Sequence, residues 1–424
     1  MLRRQKFADQ GAFTVGGSIF QKLFNLAAFV VLTRTLTAGE IGMIGVSLGY
    51  IVLLNYFVVH PEGIMMRRKL EQQDRELSAF LLFWVLRSLV MIGLGIAIGL
   101  FLSKKEPLLG RFFIIFAVVN CTNQLGDMLS FTLFMHYRHR LVFFLQSATG
   151  ALQFFLILLL FYYPGLIYYA WILLTVSLAR VAGFFSGIRL CLGFRPDFSG
   201  SFAILGKNIF GFSLWNNLNT VTIQALFFLD TVILYFYADL DMIGDYTVAL
   251  KIAFVSFEMV SLLEKAMCLS FQEMDGRGKD RVMWRYAGLI SLSSLALAGG
   301  YAILGRFVLT HIFTVRDMAF VYQVGLILLL TVAVINSAKP LQAMIITRCD
   351  LRKFFFSITL PTLFVGVGMS LTLTYFLGAM GTAVTKFPVY GFFLAASSWF
   401  ISTKTEEAMS PSDKPRRYFD PPGF

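Results

Sequence analysis

Predominantly apolar segments of membrane-spanning length constrain this chain more than any other feature. Phe80 to Leu102, Leu141 to Tyr163 and Phe354 to Leu377 are such segments. As helices rising about 1.5 Å per residue, each covers the roughly 30 Å of a bilayer's hydrocarbon core. A membrane β-barrel would alternate apolar and polar residues instead. Hydrophobic residues make up 57% of the chain and charged residues 14%, a balance that needs an apolar solvent.

Taking each apolar run as one helix places spans near residues 12–33, 40–60, 78–102, 112–135, 141–163, 166–189, 208–237, 243–271, 286–310, 319–346, 354–377 and 379–402. The seventh and eighth spans are separated only by the turn-rich ADLDMIGDY stretch from Ala238 to Tyr246, and fusing them would scramble every later side assignment. With the break kept, 23 Lys and Arg fall on the side that holds the amino end and 6 on the other. Basic loops stay cytoplasmic, so both termini are expected in the cytoplasm. The run after MLRRQK is too long for a signal-peptide core and is expected to be the first span.

The net charge of +12 does not point to nucleic acid, because most of the basic residues sit in short loops where the membrane rule explains them. Cys121, Cys191, Cys268 and Cys349 are single and widely spaced, without a metal-ligand or paired pattern, and read as small hydrophobes. No cofactor is implied.

No loop exceeds about twenty residues, too little for a soluble catalytic or binding domain. Function is expected between helices. The most polar interior connection, Leu192 to Asn208, divides six spans from six. The expected organisation is an all-α membrane protein with a six-helix lobe over 1–191, a cytoplasmic linker over 192–207, a second six-helix lobe over 208–403 and a tail over 404–424. Val30 to Leu48 aligns without gaps on Val232 to Leu250 at an offset of 202, pairing Ile41 with Ile243 and Gly42 with Gly244. A second echo places Tyr162 to Ala170 beside Tyr375 to Ala383, each a glycine-containing turn between two spans. Because six is even, two such copies enter the membrane from one side and are related by an axis along the membrane normal.

These stretches resemble the Wzx-type polysaccharide and lipid-linked oligosaccharide flippases of the multidrug/oligosaccharidyl-lipid/polysaccharide exporter superfamily. Thr33 to Leu48 is similar to the family's Arg, Leu, short turn, Glu-aromatic-Gly stretch, with Arg34, Glu40 and Gly42 in place and Ile41 where the aromatic usually stands. His60 to Asp74 looks like its stretch of Gly, small apolar and basic residues, and Phe228 to Ala253 like its Asp-bearing seventh helix followed by a Gly-x-Tyr eighth. Thr231 follows Asp230 where the family often has a basic residue. The resemblance implies two lobes around a central cavity in the cell inner membrane. It also implies a non-enzymatic role: a polyprenyl-diphosphate-linked glycan is carried from the inner to the outer leaflet by alternating access. A proton or sodium ion would supply direction, and membrane lipids and polysaccharide assembly proteins would be further partners.

Ionisable residues inside spans carry the reading of the site, since each is costly in hydrocarbon and faces a partner or an aqueous cavity. Seven are basic (Lys22, Arg87, Arg180, Lys251, Lys265, Lys339, Lys386) and four acidic (Asp127, Asp230, Glu258, Glu264). The positive excess suits an anionic cargo such as a diphosphate. Lys22 and Lys251 come from different lobes and are the leading candidates for the anionic headgroup, with Arg180, Arg34, Arg87, Lys339 and Lys386 beside them. Asp127, Asp230, Glu258 and Glu264 are candidates for charge pairing or ion coupling. Lys251, Glu258 and Lys265 recur every seven residues and so share one helix face. The plainer reading of the lysines is snorkelling to headgroups, Lys265 most of all. Asn120, Asn123, Gln124, Asn216, Asn217 and Asn219 are candidates for sugar hydroxyls or for bonds between helices.

Two other classes compete. A small-molecule exporter of the same superfamily is disfavoured by the basic interior. A membrane glycan polymerase or ligase would need a large outer loop or a carboxylate cluster, for which only Asp239, Asp241 and Asp245 are available. The orientation is testable in a variant lacking the native cysteines. In intact cells an impermeant thiol reagent should label Lys104→Cys and spare Arg281→Cys, and the opposite pattern would invert the topology.

Overall fold

The computed structural model describes residues 20–57, 73–136, 138–202, 204, 214–273 and 278–403. The amino end, most of the His60 to Asp74 motif, part of the inter-lobe linker and the 404–424 tail lie outside them. No strand occurs among the described residues. Among the described residues, twelve principal helices follow one another: α1 (20–35), α2 (Ala38–Leu54), α3 (Gln73–Ser103), α4 (Pro107–Met135), α5 (His139–Ile157), α6 (Leu166–Leu192), α7 (Leu214–Tyr237), α8 (Leu240–Glu273), α9 (Gly278–His311), α10 (Met318–Ser337), α11 (351–377) and α12 (379–403). A further segment, Lys339–Arg348, extends α10 past Ala338, where Pro340 opens the new turn. The chain is a multi-pass membrane protein in two six-helix lobes. Among the described residues, eight segments meet the length and hydropathy of a span; one of these, Leu351–Thr403, is far too long for one crossing and is broken at Gly378.

The helix boundaries have local causes. Thr37 caps α2 in a reciprocal box: its hydroxyl accepts from the Glu40 amide at 3.2 Å and its own amide donates to Glu40 Oε2 at 3.0 Å. The other oxygen of Glu40 accepts from the Leu166 amide at 3.2 Å, which ties the start of α2 to the start of α6. The contested break between α7 and α8 is confined to Ala238 and Asp239, and Asp239 caps α8 by accepting from the Met242 amide at 2.7 Å. Asp317 and Asp350 cap α10 and α11 in the same way.

The internal repeat is visible in these features. Thr37 and Asp239, both caps, stand 202 residues apart, as do Gly42 and Gly244. The second echo also has a backbone basis. Gly165 and Gly378 both carry positive φ, 148° and 60°, which a side chain would resist, and each sits at a turn flanked by exposed Tyr162 or Tyr375.

The axis of the repeat runs along the contact of α2 with α8. A Cβ on Gly42 would collide with the carbonyl oxygen of Leu240, and one on Gly244 with that of Ala38. Leu240 is itself the repeat partner of Ala38, so the two contacts are reciprocal, as in an isologous interface. Gly39 faces Asp241 and Gly45 faces Thr247, again at an offset of 202. The Thr231 hydroxyl adds a bond to the Gly45 carbonyl at 2.8 Å. Small residues are what allow two helix backbones to meet this closely in a membrane.

Two further contacts between the lobes lie at the same end. Arg34 donates to the carbonyls of His311 at 2.8 Å and Ile312 at 3.2 Å, capping the end of α9. Lys105 reaches the Tyr235 carbonyl at 3.3 Å and lies over its ring. At the opposite end the linker is held to α3: Asp197 accepts from Ser199 and from Arg75 Nε, at 2.8 Å for the latter, and its amide donates to Ser78. The Ser199 hydroxyl, then Arg75, hold the Asp197 carboxyl down to about 2.

Gly42→Val or Gly244→Val should therefore force α2 and α8 apart at a cost of about 1–3 kcal/mol. The melting temperature of the purified protein should fall by several degrees. Gly93→Ala, where an added Cβ meets nothing within 4 Å, should leave it unchanged or slightly raised.

Candidate site between the two lobes

Five of the charges singled out in the sequence converge where the lobes face each other. Lys22, on α1 of the first lobe, pairs with Glu258 on α8 of the second, with Nζ to Oε1 at 2.7 Å; their side chains are 19% and 25% exposed. Lys251 stands two helical turns from Glu258 on α8, close enough to interact electrostatically with both Glu258 and Lys22. Its ammonium lies 5.8 Å from the centroid of the Phe254 ring, and it has no ion pair among the described residues. From the first lobe, Arg180 on α6 bonds to Asp127 on α4 at 2.5 Å, with the Asp127 side chain half exposed within the helix span. Asp127 also interacts electrostatically with Glu258. The cluster therefore draws on α1, α4, α6 and α8 and holds three positive charges against two negative.

Another pair has a different character. Asp230 on α7 and Lys386 on α12 meet at 2.8 Å with both side chains only 2% exposed. The Tyr246 hydroxyl donates to the same Asp230 oxygen at 2.5 Å, and Lys386 donates further to the carbonyls of Leu226 and Phe227 while lying 4.5 Å from the Phe227 ring centroid. Every one of these groups belongs to the second lobe. A buried ion pair survives desolvation only with such full satisfaction, and this one fastens α7, α8 and α12 together.

The remaining candidates are dispersed. Arg34 lies at the end that holds the α1–α2 turn, on the α9 carbonyls described above. Arg87 is buried on α3 beside Cys121 of α4. Lys339 is buried with its ammonium 4.5 Å from the centroid of the Phe257 ring, one residue before Glu258. The side chains of Glu264 and Lys265 lie outside the described residues. Asp239, Asp241 and Asp245 do not converge: the first caps α8, the second pairs with Arg316 at 3.0 Å, and the third accepts from the Arg316 and Asp317 amides. No group of three metal-ligating side chains occurs among the described residues.

The polar residues of the spans bond helix to helix. Asn120 and Gln124 of α4 both donate to Asn55 Oδ1, at 3.2 and 2.7 Å, and Asn217 of α7 donates to the Asn55 carbonyl at 3.3 Å. Asn219 donates to the Leu351 carbonyl at 3.1 Å and accepts from Thr359 at 2.5 Å. Asn55, on which this network centres, drew no notice in the sequence, where it stands as a single polar residue inside the apolar run taken as the second span. Tyr246 stood in the Gly-x-Tyr stretch of the sequence without an assigned role; it sits sixteen residues after Asp230, across a tight turn, and bonds to it.

No protein-family model and no curated protein matches the sequence. Solved structures do match along nearly the whole chain. An inward-facing multidrug resistance MATE family transporter of the MOP superfamily aligns with a TM-score of 0.64 at 12% identity, covering 92% of this chain and 96% of that one. The eukaryotic MATE transporter AtDTX14 gives 0.69 at 12% identity over 95% and 96%, and the lipid II flippase MurJ, inward closed, 0.59 at 12% over 94% and 88%. The chain has the fold of these transporters. At such identity the likeness covers architecture alone, and it agrees with two six-helix lobes.

The two kinds of ion pair should respond differently to mutation. Lys386→Met leaves Asp230 buried without its partner and should lower stability by about 3–5 kcal/mol, whereas Lys386→Met with Asp230→Leu should recover much of the loss. Thermal unfolding of the detergent-purified variants reads both.

Proposed function

We propose that the protein is a flippase that moves a polyprenyl-diphosphate-linked glycan from the inner to the outer leaflet, for cell-surface polysaccharide assembly. The observation that carries this reading is the convergence of Lys22 and Lys251, one from each lobe, on a partly exposed interface with a net positive charge. A diphosphate offers several oxygens to such a pair, and exclusion of water strengthens each contact. The glycan would occupy the space between the lobes, the lipid tail would stay in the bilayer, and rocking of the lobes about the α2–α8 seam would expose the site to each side in turn. Asp230 is sealed, its side chain only 2% exposed, which favours the more exposed Asp127 and Glu258 over it as the acidic residues able to take part in coupling to a proton or sodium ion. The cell inner membrane, with both termini cytoplasmic, is the setting this reading requires.

A small-molecule exporter is the second reading, favoured by the likeness to multidrug transporters in fold. A cationic drug would want an acidic interface, and the excess here is basic.

Proteoliposomes separate the two. The wild-type protein should equilibrate a polyprenyl-diphosphate-linked glycan across the bilayer and should not accumulate cationic dyes. Lys22→Gln and Lys251→Gln remove charge at roughly constant length and should each slow flipping at least tenfold, at unchanged protein level. Parental rates in both variants would rule out this anion site.

A further inference from the structure

The ion pair that joins the lobes is built from one group expected to hold the cargo and one of the cargo's own charge type. Lys22 and Lys251 are like charges brought together in a medium that screens poorly, and an anion between them lowers that cost. In the structure the anion is Glu258, seated on Lys22 at 2.7 Å. Its position is unlike that of Asp230, which has an amine, a hydroxyl and near-complete burial to hold it. Glu258 is a quarter exposed, its only described hydrogen bond is to Lys22, and at longer range it is attracted by Lys251 and repelled by Asp127. Leaving Lys22 therefore costs Glu258 one charge-assisted bond, and partial solvent access offsets some of the loss.

We infer that Glu258 is an internal competitor for the anion site: its carboxylate occupies Lys22 in the empty protein and must be displaced when a diphosphate binds across Lys22 and Lys251. Two consequences follow. The resting lobes are tied across their interface by a bond that cargo breaks, so occupancy and lobe movement are coupled. Selectivity also rises, because a singly charged anion gains no more from Lys22 than Glu258 already does, while a diphosphate can engage both lysines. This inference rests on the anion site proposed above and assigns it a regulator.

The test titrates full-length purified protein with inorganic pyrophosphate, inorganic phosphate and, in nanodiscs, a polyprenyl diphosphate. Glu258→Gln should bind pyrophosphate and the polyprenyl diphosphate about tenfold more tightly than wild type, and its preference over phosphate should shrink. Glu258→Asp retains the charge for folding on a shorter stem and should fall between the two. In the Lys22→Gln background the Glu258→Gln gain should vanish, because Glu258 then has no Lys22 to withhold. Unchanged or weaker binding by both Glu258 variants, with Lys22→Gln still impairing it, would overturn the competitor role and leave the anion site standing. Wild-type binding that neither lysine variant weakens would sink the anion site itself. Gains for pyrophosphate but not for the lipid would mean that the competition governs free anions only, and the inference for the cargo would fail.

Discussion

At the meeting of α2 and α8 each backbone lies directly against the other, and the arrangement of both lobes depends on it. Hydrocarbon offers no hydrophobic force between helices, so two of them associate through packing and local bonds. Gly42 and Gly244 let each backbone rest on the carbonyl of its counterpart's first turn, and Gly39 and Gly45 extend the contact along the repeat axis. Because the contact of Gly42 with Leu240 is repeated by Gly244 with Ala38, and Gly39 and Gly45 each face their own repeat equivalent, the seam has the self-complementarity of a dimer interface within one chain. Closure at the same end by Arg34 and Lys105 uses main-chain carbonyls as acceptors, so it is a polar contact without a buried counter-charge.

Charge inside the membrane is handled in two ways. Where a pair is sealed, as in Asp230 with Lys386, a hydroxyl and two carbonyls complete the coordination, and the pair behaves as part of the core. Where a pair is partly exposed and spans the lobes, as in Lys22 with Glu258, the bonds are few and the partners belong to different lobes. Lys251, near this pair and without an ion pair of its own among the described residues, gives the interface its positive sign. The likeness in fold to both drug transporters and a lipid flippase shows that this architecture does not choose a cargo. Chemistry at the interface has to do so.

Apolar periodicity and turn chemistry were enough to find each crossing, including the breaks at Ala238 and Gly378, because a helix in lipid must satisfy its own backbone within one segment. The repeat was legible for a related reason: capping and close approach admit few residue types, so Thr37 and Asp239, or Gly42 and Gly244, stay recognisable after the rest has diverged. The roles of the charges were not legible. Lys386 and Lys22 look alike in sequence, each a lysine within a span, yet one is locked on Asp230 and the other bridges the lobes. Pairings such as these join residues well over a hundred positions apart, or across a turn, and no local pattern encodes them. Length, crossing number and the duplicated seam were thus set by local backbone demands, which sequence states directly; which charges meet, and whether water reaches them, depended on how distant helices pack.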